Sequence, residues 1–185
     1  THLLETGQNV DVVYLDFAKA FDKVDFMVTM RKLHNLGVSG RLGRWIHSFL
    51  TNRKQTVVVN GVKCGLSDVK SGVPQGSVLG PLLFLILIGD IDQEVVSAFV
   101  SSFADDTRAA KAISTEEDVK ALQDDLQAIY RWSDDNNMDF NFPKFECLRH
   151  GRNNELKSST PFFSKSGEVI RDVQHAKDLG VVMSS

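Results

Sequence analysis

The hexapeptide Ser102–Phe103–Ala104–Asp105–Asp106–Thr107 constrains this chain more than any other stretch. Ser97–Ala98–Phe99–Val100–Ser101 before it reads as a half-buried strand. Arg108 to Ile113 reads as the returning partner, so two adjacent carboxylates stand at a hairpin turn. Packed like charges are unfavourable unless a cation offsets them, and a divalent metal is the usual cation for all-oxygen donors. A solvated Asp-Asp turn also accounts for the hexapeptide, since Asp favours turns for local backbone reasons. Two other places in the chain decide between these readings.

The chain has 185 residues, 42% hydrophobic and 24% charged, which suits one folded domain with a real core. Lys plus Arg total 21 against 24 Asp plus Glu, so global charge gives no support for nucleic-acid binding. Cys64 and Cys147 lack CxxC or zinc-type spacing and read as reduced, half-buried fillers of an intracellular protein. The apolar run Val78 to Ile88 is too short to span a bilayer and reads as a buried helix. Thr1–Glu5 reads as the tail of a helix, and the abrupt ends suggest a fragment of a longer polypeptide.

Val10 to Phe17 is β-branched and aromatic, a central strand whose end carries Asp16. A carboxylate at the end of a buried strand is expensive unless it is paired, ligating or reaching water. A helix is expected from about Asp22 to Leu36, stopped by Gly37. Ser39 begins a second, with Leu42, Trp45, Ile46, Phe49 and Leu50 as a core-facing stripe. Lys54 to Val59 and Val62 to Val69 form a hairpin around Asn60–Gly61. Lys70 to Ser77, with two glycines and a proline, is a loop of special backbone geometry opening onto the apolar helix.

Further on, Ser114–Thr115–Glu116–Glu117 reads as a capping box for a helix carrying Val119, Leu122, Leu126, Ile129 and Trp132. The cluster Asp134–Asp135–Asn136–Asn137 ends that helix as a solvated loop. A strand is expected from about Phe145 to Arg149 and a turn at Gly151–Asn154. Another hairpin is expected around Ser166–Gly167, and a last short strand over Asp178 to Val182. Mixed helices and hairpins argue an α+β fold with a largely antiparallel sheet and helices on one face.

Asp16 at a strand end, a Gly-rich loop into a helix, and Asp105–Asp106 at a hairpin stand in that order. In this the sequence resembles the reverse transcriptases of non-LTR (LINE-type) retrotransposons over nearly its whole length. Tyr14 to Val24 is similar to the first palm motif, Ser71 to Pro81 to the second, and Phe103–Ala104–Asp105–Asp106 to the third. Phe140–Asn141 with Lys144 matches the fourth, and His175 to Val182 the segment after it. Phe26, Gly89–Asp90–Ile91 and Phe145 depart from the family pattern, and none is a presumed ligand.

The resemblance implies a palm-type fold over residues 1–185, with the fingers truncated and the thumb absent. It implies an RNA-directed DNA polymerase, adding dNTPs to a DNA primer on an RNA template by two-metal-ion chemistry. Two Mg2+ ions are implied, with Mn2+ as a substitute, held by Asp16, Asp105, Asp106 and the backbone carbonyl of Phe17. Phe21 would stand against the sugar 2′ position; the alternative for it is a packing aromatic. Pro74, Gln75 and Gly76 would floor the incoming nucleotide and template base, and Lys144 would face the pyrophosphate leaving group. Lys23 reads as a surface charge and Lys19 as either a surface charge or a phosphate contact, while Arg41, Arg44, Arg53 and Lys54 are bases that can reach a backbone phosphate. No membrane is implied; the setting would be a retrotransposon ribonucleoprotein of nucleus and cytoplasm. The other parts would be fingers, thumb and, as an open question, an endonuclease in the same polyprotein. Rival readings are a non-catalytic palm module binding RNA or protein, and a metal-dependent nuclease, which says nothing of the Pro74–Gln75–Gly76 loop.

Overall fold

The computed structural model describes residues 8–151, 160–178 and 180–184. The expected helical tail at Thr1–Glu5 and most of the turn at Gly151–Asn154 lie outside them. In chain order the elements are β1 (Val10–Asp16), α1 (Ala20–Lys23), α2 (Phe26–Asn35), α3 (Gly40–Leu50), β2 (Lys54–Gln55) and β3 (Val58–Val59). Then come β4 (Val62–Lys63), β5 (Ser67–Asp68), α4 (Leu79–Ile88), β6 (Phe99–Phe103), β7 (Asp106–Ala112) and α5 (Glu116–Asp135). A 3-10 turn (Phe142–Lys144) leads to β8 (Glu146–His150), β9 (Arg171–Val173), β10 (His175–Asp178) and β11 (Val181–Ser184). The described residues form two compact units, one within 8–18, 91–135 and 139–184 and the other within 19–90 and 136–138.

The first unit is built on a five-stranded sheet in the order β6-β7-β1-β8-β9, antiparallel except for the β8–β9 pair. Side chains alternate between the faces of a strand. One row across three strands, Ala109, Val13 and Cys147, is fully buried, and α5 packs against β7 with Leu122, Leu126 and Ile129 fully buried. The next row toward the Asp16 end is polar, Arg108, Tyr14 and Glu146, and points to the opposite face. Near the other end of β1 the buried guanidinium of Arg149 lies 3.2 Å from Asp11 and 3.1 Å from Asp172. β10 and β11 pair as a separate hairpin, where the sequence read a single strand over Asp178 to Val182. Gly180, in the turn between them, has φ +83°, which favours glycine.

Pairing of β6 with β7 runs to Phe103↔Asp106, so only Ala104 and Asp105 form the turn. The sequence placed both carboxylates in it. Ala104 adopts φ +51°, and that left-handed residue makes the tight reversal possible. At the start of α5 the cap is Thr115 with Asp118 rather than a box ending in Glu117. Asp118 accepts from the N–H groups of Ser114 and Thr115, and Thr115 Oγ1 accepts from the N–H of Asp118.

In the second unit the helix expected from Asp22 to Leu36 is two helices. Asp25 breaks it by capping α2, accepting from the N–H groups of Met27 and Val28 at 2.8 and 2.9 Å. Gly37 ends α2 with φ +84°. On α3, Ile46 and Leu50 are buried but Leu42 and Trp45 are exposed, so the expected core stripe is half solvent-facing. Asn60 and Gly61 both take positive φ, as a two-residue hairpin turn between β3 and β4 requires. The valines of that hairpin are exposed, and so is Cys64, while Cys147 is buried. Among the described residues no helix is long and apolar enough to cross a membrane.

Candidate active site

Asp16 and Asp106 are direct register partners across β1 and β7. Opposed residues on antiparallel strands carry Cβ atoms roughly 4.5–5.5 Å apart on one face, and like charges there are destabilising. Asp105, next along, is exposed in the turn, and Asp106 is exposed at the strand start. Neither carboxylate makes an ion pair or a side-chain hydrogen bond among the described residues.

The nearby cation is Lys144, which the 3-10 turn delivers. Asn141 N–H donates to the Asp16 carbonyl at 2.7 Å and Ala18 N–H to the Asp139 carbonyl at 2.8 Å, closing a bridge of Phe17 with Phe140. The Phe17 ring is buried and stacked on Phe140, with centroids 4.5 Å apart. That aromatic anchor fixes the turn, and the Lys144 ammonium then lies 3.2 Å from Asp16 Oδ2. The contact is ionic without hydrogen-bond alignment: Oδ2 is shielded from solvent and accepts no hydrogen bond. Lys144 itself is 64% exposed, so the pair is screened and weak.

A cavity of about 320 Å3 opens on this face, between Asp16, Asp106 and Lys144 on one side and Ala176, Lys177 and Asp178 of β10 on the other. Arg108 pairs with Asp178 across it, and Arg171 with Glu146 at its edge. The sequence reading passed over Arg108, Tyr14 and Glu146. Strand parity was the available signal, since Tyr14 shares a face with Asp16 and Arg108 with Asp106. Burial pushes the Tyr14 phenol up, and the Arg108 charge partly opposes that.

A divalent cation on this face would draw its protein ligands from these carboxylates. Among the described residues no three Asp, Glu, His or Cys side chains gather into a ready-made cage. Magnesium does not need one, because it is usually held by one or two carboxylates with the remaining positions filled by water and substrate phosphate. Asp16 and Asp106, opposed, with a buried Asp16 oxygen lacking a donor, fit that partial donor set.

The second unit holds the other residues singled out by sequence. Gly72 has φ +85°, and a Cβ there would lie 2.7 Å from the Asp22 carbonyl oxygen. With no side chain, the loop lies flat on the Phe21–Val24 backbone: Gly72 N–H donates to the Val24 carbonyl and Val73 N–H to the Phe21 carbonyl. Gln75 Nε2 donates to the Asp22 carboxylate at 3.1 Å. Pro74 accepts from Ser77, and Gly76, at φ +78°, turns the chain into α4. Phe21 is half-buried, with its ring 4.8 Å from that of Phe84.

Residues 1–181 match the family model described as reverse transcriptase (RNA-dependent DNA polymerase). The chain is 32% identical over 180 residues to the RNA-directed DNA polymerase from mobile element jockey of Drosophila melanogaster, covering 92% of this chain and 19% of that protein. It is 30% identical over 188 residues to the jockey enzyme of Drosophila funebris, covering 97% of this chain and 20% of that protein. The chain thus spans about a fifth of the length of the curated relatives it matches. Telomerase from Candida albicans, solved with a fragment of telomeric RNA, superposes with a TM-score of 0.65 at 13% identity, covering 99% of this chain and 30% of that one.

Proposed function

The chain belongs to the reverse transcriptase (RNA-dependent DNA polymerase) family, and on that premise we propose that it is the palm portion of a retrotransposon enzyme that copies RNA into DNA. The observation that carries this is the opposition of Asp16 and Asp106, with Asp105 beside them in the turn and one weakly held ammonium for company. Asp16, Asp106, Asp105 and the Phe17 carbonyl would hold the divalent ions. Such ions, when bound, offset the charge of the triphosphate and raise the reactivity of the primer 3′ hydroxyl.

The chain's own groups supply the rest. Lys144, exposed and close to Asp16, is placed to shift toward an incoming triphosphate and to protonate or neutralise the departing pyrophosphate. Phe21, its ring held against Phe84, presents a rigid edge suited to excluding a ribose 2′ hydroxyl. Gln75, held by Asp22, and the Pro74 and Gly76 backbone would form the floor under the nucleotide and template base. Fingers and thumb are assigned to other parts of the polyprotein, in keeping with the fraction of the relatives that this chain spans.

The test is twofold. Mn2+ titrated into the chain is followed by paramagnetic broadening of resonances from β1 and β7, and primer extension on an RNA template is assayed alone and with fingers and thumb added in trans. Broadening centred on Asp16 and Asp106, lost in Asp16→Asn, is expected. Extension that persists in Asp105→Asn would overturn the reading.

A further inference from the structure

β10 and β11 form a two-stranded sheet of their own, outside the five-stranded sheet of the first unit. Little apolar surface holds that hairpin down. Ala176 is buried, but Val181, Val182 and Met183 are exposed, and so are His175 and Lys177. A two-stranded hairpin with so small an apolar footing is marginal in water. One end of it is rooted where Gln174 joins β9 to β10. At the other end Asp178, the last residue of β10 before the Gly180 turn, pairs with Arg108 of β7. Among the described residues this is the hairpin's one polar side-chain tie to the rest of the unit. The Asp178 side chain is 11% exposed, so it depends on that cation, since a shielded carboxylate left unpaired is costly.

Arg108 stands two residues beyond Asp106 on β7, so the two side chains leave the same face roughly 7 Å apart along the strand. Tyr14, the register partner of Arg108 on β1, stands two residues before Asp16. The strand that carries Asp106 therefore also holds the hairpin tip. Ala176 to Asp178 form the cavity wall that faces Asp16 and Asp106. We propose that Arg108 is a positioning residue. Through Asp178 it fixes β10–β11 at a set distance from the two carboxylates, and so sets the width of the cavity that receives the strand end being extended. The catalytic use of this pin rests on the reading of the chain as a polymerase; the pin itself does not. A direct contact between Arg108 and a substrate phosphate is the rival role. Against it stands the pairing already made, because a phosphate could recruit Arg108 only by leaving the shielded Asp178 carboxylate without its cation.

Amide hydrogen exchange in EDTA tests the pin, and primer extension with fingers and thumb added in trans tests its use. Arg108→Ala is expected to lower protection of the β10 and β11 amides at least about tenfold, while the β1 amides keep theirs within about twofold. Arg108→Lys, which keeps the charge, should recover most of that protection. In extension, Arg108→Ala should lower kcat about a hundredfold, the scale of an ångström-sized misplacement, with KM for dNTP unchanged. The double variant Arg108→Ala/Asp178→Asn should be no worse than Arg108→Ala in either measurement, because the two residues act as one unit. Full protection in Arg108→Ala, no recovery in Arg108→Lys, or losses that multiply in the double variant overturn the proposal. So does a kcat loss in Arg108→Ala with Asp178→Asn at the parental rate, which would make Arg108 a direct phosphate contact. Exchange needs no catalysis, so the two failures are distinguishable. If the unaltered chain extends no primer, the polymerase reading falls and takes the catalytic use of Arg108 with it, while the loss of protection still upholds the pin.

Discussion

Asp16 and Asp106 face each other as register partners across adjacent antiparallel strands, and the shielded Oδ2 of Asp16 accepts no hydrogen bond. Two carboxylates so placed repel in the absence of a cation. Asp106→Asn is therefore expected to raise the unfolding free energy in EDTA by a few tenths of a kcal/mol up to about 1 kcal/mol. The same change should lower primer extension by at least about a hundredfold. Urea denaturation and extension assays on one preparation check both signs.

Lys144 separates stability from chemistry in a different way. Its ammonium is well exposed and makes no aligned hydrogen bond to Asp16, so Lys144→Ala should leave the unfolding free energy within about 0.5 kcal/mol of the parent. If it serves the leaving group, kcat falls by roughly a hundredfold, within the range of general acid catalysis. Steady-state kinetics with matched denaturation curves distinguish this from a structural role.

Gly72→Ala places a methyl 2.7 Å from a backbone oxygen at a φ that L residues rarely adopt. The atoms it would meet all belong to the Asp22 backbone, so relaxation requires moving that backbone. A loss of at least about 2 kcal/mol is expected. Gly76→Ala, where nothing lies within 4 Å, keeps the backbone strain without the clash and should cost about 1 kcal/mol. Comparing the two by chemical denaturation isolates the contact.

Asp125, buried on α5, accepts from the N–H groups of Val96, Ser97 and Ala98 and from Ser97 Oγ–H, tying down the segment that enters β6. Burial pushes its carboxyl up, but these hydrogen bonds outweigh that and hold it below the ordinary 3.8. A depressed folded-state pKa contributes stability that is complete above 3.8 and is lost as pH falls below it through the folded value. Protection of the Val96 to Ala98 amides, taken relative to the intrinsic exchange rate at each pH, should therefore fall below that pH. Asp125→Ala, which leaves three backbone donors without an acceptor, should cost about 3 kcal/mol at neutral pH and flatten this acid dependence.

Much was legible in the sequence because the signals were local. β1 follows from β-branched residues ending in Asp16, the Asn60–Gly61 turn from its dipeptide, and α4 and α5 from apolar runs with recognisable starts. Local competition was harder to read. Asp25 is an unremarkable residue in a helical pattern until its side chain turns back to cap Met27 and Val28 and splits the helix. The tightness of the β6–β7 turn depended on Ala104 accepting a left-handed conformation, which alanine composition does not advertise.

By itself the sequence determined the mixed α and β class, the family and the identity of the acidic residues, because these are carried by short-range pattern and motif. Only the tertiary structure decided that Asp106 rather than Asp105 is the register partner of Asp16. It also decided that Lys144 is delivered to Asp16 by an aromatic-anchored turn, and that Arg108 ties β7 to Asp178 at the tip of a separate hairpin. Each of these depends on which distant segments are brought together. Strand register and the burial of one particular oxygen are fixed by long-range packing, and no local run of residues encodes them.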